Sequence, residues 1–261
     1  MKNNICISYH YKKYSIGDQL ILTEFPENLH EIGYTFINKQ NNPFLKYNPY
    51  VVENGDDIIE LNFNTVDQKF ISNPYNINSR SQLLFDYLGI SNKPKLITPR
   101  LYIHENNKKE NIILLYSQGK EIIPDNIIDY ILAKYSKHYK IIQICIPFIT
   151  DNGLTSADIP VKEKGVENIH FDFYKNKWED IAEIASKSIM FIGVDGWISH
   201  LAQAYMPNVN LFIPSGFINY FGNKSQPFGQ GTIGNQWLHP NNYYFNETER
   251  SYGFTNSYLT L

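Results

Sequence analysis

The chain has 261 residues and a mass of 30.4 kDa, room for two small α/β domains or one large one; 43% of its residues are hydrophobic, 15% aromatic and 19% charged. That usage excludes a largely disordered chain. A formal net charge of −3 and a pI near 6.2 exclude the strong positive field that gathers nucleic acid. The two cysteines, Cys6 and Cys145, each lie in an apolar run and read as buried thiols of a reducing compartment, without a disulfide framework or a Cys-based zinc site. No stretch approaches the ~20 apolar residues of a membrane span, and the N-terminus leads into a strand rather than a signal peptide. A soluble cytoplasmic protein is the expectation.

In chain order, an apolar strand at 3–9 is followed by a polar loop, the pair Gly17-Asp18 and a helix start. Strands are predicted at 34–38 and 58–63, with a turn at Asn48-Pro49 between them. A helix at 79–90 sets Leu83, Leu84, Tyr87 and Leu88 on one face and stops at Gly89. The segments 91–99 and 104–110 have the composition of connections, so a domain boundary is placed there. The second half alternates: strand 112–117, helix 125–137, strand 140–146, loop 150–160, strand 167–171, helix 178–187, strand 189–193, helix 197–206, strand 208–213. Strands separated by helices imply βαβ units and a parallel sheet. After Pro214 the chain is rich in Gly, Asn, Pro and aromatics, and a short helix or irregular wrap is expected there.

The stretch Phe191–Ala204 is the most informative. A buried strand ends at Val194, Asp195 and Gly196 turn the chain, and a helix begins at once with Ile198, Leu201 and Ala202 inward. Such a junction aims backbone N–H groups and the positive end of a helix dipole at the carboxyl edge of the sheet, which suits a phosphate or diphosphate. A simple N-cap accounts for Asp195, and a satisfied core histidine accounts for His200. Other chemistries lack their residues. There is no Asp-x-Asp to hold a metal-bridged diphosphate, no P-loop, no Gly-x-Gly-x-x-Gly after the first strand, no zinc spacing among the seven histidines and no Gly-x-Ser-x-Gly.

The same stretch resembles glycosyltransferase family 9, the heptosyltransferases of lipopolysaccharide assembly, which carry Asp-Thr-Gly-Leu-x-His-Leu-Ala after a strand of the form apolar-apolar-Gly-x. Gly193, Val194, Asp195, Ile198, Ser199, His200, Leu201, Ala202 and Ala204 look like that pattern in register. Gly196 stands in place of the family's Thr or Ser, and Trp197 in place of its Gly, so a hydroxyl contact to donor phosphate is lost. Near the N-terminus, Gly17-Asp18 followed by Thr23-Glu24-Phe25-Pro26 resembles the family's Gly-Asp and Thr-x-Pro, two residues farther apart than usual. The family's general base then falls on Asp18, with Gly17 allowing a tight turn before it; an N-capping aspartate explains Asp18 as well. Lys120, before Pro124, is similar to the family's phosphate-neutralising Lys before Trp-Pro, one residue farther from its proline and without the Trp; a solvated lysine is the alternative. Asn48-Pro49-Tyr50-Val51 and Lys177–Ala182 are further fold marks.

The resemblance implies a GT-B-like α/β fold: two Rossmann-like domains with parallel sheets facing a central cleft. Residues 1–103 would form a shortened acceptor-side domain, and 104–261 a nucleotide-sugar-binding domain ending in a wrap. It implies an inverting, metal-independent glycosyltransferase without a cofactor. The sugar, heptose among the candidates, would pass from a nucleotide-diphosphate donor, ADP-linked donors among them, to a hydroxyl of a bacterial surface glycan such as lipooligosaccharide or capsule. Asp18 would act as base, and Lys120, Asp195, Gly196, Trp197 and His200 would serve the donor. The partners would be donor and glycan acceptor, not nucleic acid, with peripheral contact at the inner membrane left open. Two rivals stand beside this reading: a catalytically inactive GT-B-like binding or scaffold subunit, favoured by the Gly196-Trp197 departure, and a GT-B-like transferase of a non-sugar group.

Overall fold

The computed structural model describes residues 3–8, 16–39, 41–55, 58–62, 80–96, 98–118, 122–146, 148–149, 155–156, 160–161, 165–172, 175–194, 196–206, 209–213 and 242–246. These fall into two units, one within residues 1–103 and one within 104–220 and 241–261.

In the first unit, strands β1 (Asn3–Ser8), β2 (Tyr34–Ile37), β3 (Val51–Val52) and β4 (Ile58–Asn62) form a wholly parallel sheet of order β3-β2-β1-β4. Helix α1 (Ile16–Ile21) follows β1, tightens into a 3₁₀ turn over Leu22–Glu24 and continues as α2 (Phe25–Glu31). The break has a local cause. The Thr23 hydroxyl donates to the Leu20 carbonyl at 2.6 Å, competing with the helical ladder, and Pro26 sits in the first turn of α2, where a missing N–H costs nothing. Leu22, Phe25 and Leu29 of these helices meet Phe36, Leu45 and, from α3 (Arg80–Tyr87), Leu84 and Phe85 in one core.

Buried polar groups tie this unit together over long sequence separations. The Glu24 carboxylate, 3% exposed, accepts the Ser81 N–H at 2.7 Å in the first turn of α3, where negative charge is favoured. The Asn28 amide donates to Ser81 Oγ (2.9 Å) and to the Leu96 carbonyl (2.8 Å), while its Oδ1 accepts the N–H groups of Lys95 and Leu96. Glu27 binds the Tyr102 hydroxyl and, at 3.1 Å, Lys95 Nζ. Burial pushes the Glu27 carboxyl up, but the Tyr102 and Lys95 hydrogen bonds together hold it below its ordinary value. Tyr102 is raised by burial and by that carboxylate. Lys95, Leu96 and Tyr102, the first two predicted as part of a loose connection, are therefore strapped along α2.

The second unit has a six-stranded parallel sheet: β5 (Ile112–Tyr116), β6 (Lys140–Cys145), β9 (Val166–His170), β10 (Met190–Gly193), β11 (Val209–Ile213) and β12 (Asn242–Asn246) in the order β12-β11-β10-β5-β6-β9. β5 and β10 are buried along their whole length, as central strands covered on both faces are. Helix α4 (Asp125–Tyr135) buries Ile127, Ile128, Ile131, Leu132 and Tyr135, and α5 (Trp178–Lys187) buries Trp178, Ile181, Ala182, Ala185 and Ser186, each at helical spacing. Glu179 and Asp180 in the first turn of α5 and Lys187 in its last suit the helix dipole. The run 104–110 is docked: Lys109 Nζ donates to the carbonyls of Ser188 and Tyr205, both at 2.9 Å, and burial lowers its ammonium pKa.

Three expectations change. The tail expected to be only helix or wrap contains β12, paired in parallel with β11 from Val209↔Asn242 to Ile213↔Asn246. The loop at 150–160 includes Thr155–Ser156 (β8), which pairs antiparallel with Phe148–Ile149 (β7). The helix predicted over 197–206 ends at Gln203 (α6, Trp197–Gln203), and Pro207 in the sequence disfavours helical backbone just before it. Among the described residues, no helix is long and apolar enough to cross a membrane.

Candidate functional site

The strand orders mark a candidate place for a site. Counted within its own unit, the second sheet reads 3-2-1-4-5-6 from the β9 edge, and the first sheet reads 3-2-1-4. Both reverse direction between their first and fourth strands, and open parallel sheets bind ligands outside the carboxyl ends at that reversal. In the second unit the reversal lies between β5 and β10. Tyr116 and Ser117 finish one side, and Gly193, Val194 and Gly196 finish the other, joined by the Val194 N–H to Tyr116 carbonyl bond at 2.9 Å. The segments that carry Lys120 and Asp195 depart from these two strand ends; both residues lie outside the described residues.

Gly196 occupies the N-cap position of α6, where Asp195 was expected. Its φ of 167° is extended backbone open to any residue. What demands glycine is the neighbouring ring: a Cβ at 196 would lie 2.9 Å from Tyr116 Cε1, and Tyr116 is buried. A Cβ at Gly193 would meet the Tyr116 carbonyl at 2.7 Å. The Phe191 ring, with Cζ 2.5 Å from the same point, closes that position as well, so Tyr116 bears on both glycines and Phe191 on Gly193. The Gly196 N–H donates to Ser199 Oγ at 3.1 Å, and that hydroxyl donates to the Gly196 carbonyl at 2.6 Å. The Gly196 N–H is thus engaged by the helix's own serine. The Trp197 indole, 8% exposed, packs on the buried Phe171 ring with centroids 5.4 Å apart, and His200 is 5% exposed within α6.

A buried amide chain was missed from sequence. Gln143, wholly buried in β6, donates to Ser117 Oγ at 2.8 Å and accepts the Val161 N–H at 2.9 Å; Asn168 of β9 donates to the Val161 carbonyl at 2.9 Å. It fixes the residues beyond β5 and β6. The signal available was a lone amide within Ile-Ile-Gln-Ile-Cys, which a buried strand tolerates only when every polar atom is matched.

In the first unit the reversal lies between β1 and β4, and α1 follows β1 after residues 9–15. Gly17 and Asp18 are both inside the first turn of α1, so Gly17 does not form a tight turn ahead of the helix, and Asp18 is not its N-cap. The Asp18 side chain lies outside the described residues. Thr23 and Glu24, the matched Thr-x-Pro segment, are turned inward as structural caps; Thr23 Oγ1 also accepts the Arg100 N–H at 3.0 Å.

No protein-family model matches the sequence, and no curated protein matches it. Solved structures resemble it. The glycosyltransferase family 9 protein of Veillonella parvula DSM 2008 is 10% identical, with a TM-score of 0.57 over 95% of this chain and 86% of its own. The iron-containing dodecameric glycosyltransferase TibC of enterotoxigenic E. coli H10407 is 15% identical, with a TM-score of 0.52 over 87% of this chain and 62% of its own. The heptosyltransferase TibC in complex with ADP-D-beta-D-heptose is 14% identical, with a TM-score of 0.52 over 87% of this chain and 61% of its own. The chain spans about three fifths of the length of TibC. The class these likenesses show is one of fold: α/β, GT-B-like, with two Rossmann-like units, as in family 9 glycosyltransferases.

Proposed function

We propose that the chain is an inverting, metal-independent glycosyltransferase. It would move a sugar from a nucleotide-diphosphate donor, ADP-heptose being the first to test, to a hydroxyl of a surface glycan met at the inner membrane. The observation that carries the reading is the strand order: each unit holds the 3-2-1-4 arrangement, within a fold like that of a family 9 glycosyltransferase over 95% of the chain. The segments bearing Lys120 and Asp195–His200 flank one reversal point, and α1 bearing Gly17 and Asp18 follows the first strand at the other.

In this reading the acceptor oxygen attacks the anomeric carbon as the bond to the diphosphate breaks. The bonding pair leaves with the diphosphate, the acceptor proton passes to the Asp18 carboxylate, and the anomeric configuration inverts. Lys120 balances the leaving charge, and Asp195, Gly196, Trp197 and His200 shape the donor end of the second unit. A second reading, a GT-B-like binding subunit without turnover, is favoured by the Gly196 N–H, which is already engaged by Ser199. Calorimetric titration with ADP-heptose, followed by ADP release in the presence of a lipooligosaccharide acceptor, separates the two. Binding with release supports the transferase, binding without release supports the subunit, and binding of no nucleotide sugar overturns both.

A further inference from the structure

We infer that Asn42 is a positioning residue that anchors helix α1 and, through it, Asp18; the second step rests on the base assignment proposed above. Asn42 lies in the loop leaving β2 and is 6% exposed. Its Oδ1 accepts the Phe44 N–H at 3.0 Å and so caps the 3₁₀ turn Pro43–Leu45. Its Nδ2 crosses to α1 and donates to the Gln19 carbonyl at 2.8 Å, at the residue after Asp18. The loop itself is held: the Asn42 N–H donates to Asn38 Oδ1 at 2.9 Å, Asn38 Nδ2 donates back to the Asn42 carbonyl at 3.2 Å, and the Asn38 N–H donates to the Val52 carbonyl of β3 at 3.0 Å. A continuous line of hydrogen bonds runs from the sheet edge through Asn38 and Asn42 to the backbone beside Asp18.

The anchor matters because α1 cannot hold itself. It has six residues, about 9 Å of helix, with a glycine at its second position, and such a segment is not stable alone. It is placed by its continuation through the 3₁₀ turn into α2, by burial of Leu20 and Ile21 and by side chains that take its carbonyls, Thr23 on Leu20 and Asn42 on Gln19. Capping the turn at Phe44 needs only an acceptor, which Asp or Ser supplies as well as Asn. The donor that reaches Gln19 is the part the loop does not need. The two roles therefore separate by substitution: Asn42→Asp keeps a cap acceptor and has no donor, and Asn42→Ser keeps a cap acceptor on a side chain one atom shorter than the amide that reaches Gln19.

The test uses the full chain and two readouts, hydrogen exchange at residues 16–21 and steady-state ADP release from ADP-heptose. Both variants should speed exchange in α1 and lower kcat by about 10- to 100-fold, the scale on which misplacing a reacting group is felt, with the donor KM within about twofold of the parent. In an Asp18→Asn background, Asn42→Ser should lower kcat no further. Unchanged exchange in α1 overturns the anchoring even if no donor is turned over. Faster exchange with unchanged kcat overturns the link to Asp18. Normal turnover by Asp18→Asn alone overturns the base assignment and leaves the exchange result to judge the anchor. A fall in melting temperature with α1 exchange unchanged assigns Asn42 to the loop only.

Discussion

Adding one methyl group at residue 196 distinguishes two reasons for its glycine. On sequence grounds, Gly196 admits an anion to the start of α6, and Gly196→Val should weaken nucleotide binding far more than stability. The structure assigns the glycine to Tyr116. The new Cβ would stand 2.9 Å from Tyr116 Cε1, inside normal contact, with the phenol oxygen at an ordinary 3.4 Å. Tyr116 is buried, so the ring has little open space into which to retreat. Forced overpacking of this kind costs about 1–3 kcal/mol. Gly196→Ala should therefore lower the urea unfolding midpoint of the second unit before any ligand is added. In a Tyr116→Leu background, which removes the opposing ring atoms, the same substitution should cost less, about 0.5–1 kcal/mol, the part that replacing Gly by Ala at an N-cap carries by itself. Additive losses in the double variant, or a Gly196→Ala protein as stable as the parent with weakened nucleotide affinity, would refute the packing account and restore the anion-access one.

Asp18→Asn should leave donor affinity nearly intact while lowering turnover by at least ~10²-fold, read by calorimetry beside kcat. Turnover should survive EDTA, since the sequence offers no Asp-x-Asp for a bridging metal; an absolute need for added Mg²⁺ or Mn²⁺ would count against the reading. Glu27 is held below its ordinary value of 4.5, so its contribution is full above that value and is lost as pH falls through the lowered folded value. Tyr102→Phe removes one of the bonds that lowers it, and the stability-versus-pH curve below about pH 4.5 should become shallower than the parent's; an unchanged acid limb would contradict this.

What the sequence could disclose was what depends on near neighbours. β5, β6 and β10 announce themselves as apolar runs because they are covered on both faces, and α5 as a 3.6-residue pattern because one face is buried. β12 was hidden because Asn-Tyr-Tyr-Phe-Asn becomes a strand only once β11 offers it an edge. The break at Leu22–Glu24 depends on a threonine back-bond that apolar patterning does not register. At the candidate site, the position of the α6 junction was readable, but the reason for Gly196 was not, since Tyr116 is distant in the chain. The same holds for Asn28, bonded to Leu96, and for Gln143, bonded to Ser117. Residues with one local and one remote partner, Asn42 above all, look like ordinary turn formers until the fold brings α1 beside them.

The most direct test of the central claim is the mass of the acceptor. Incubating the full chain with a lipooligosaccharide acceptor and ADP-heptose, then with other nucleotide-diphosphate sugars, should yield a product heavier by one sugar residue for at least one donor, with its linkage inverted relative to that donor. An acceptor of unchanged mass across the donor panel, or one carrying a group other than a sugar, would contradict the account.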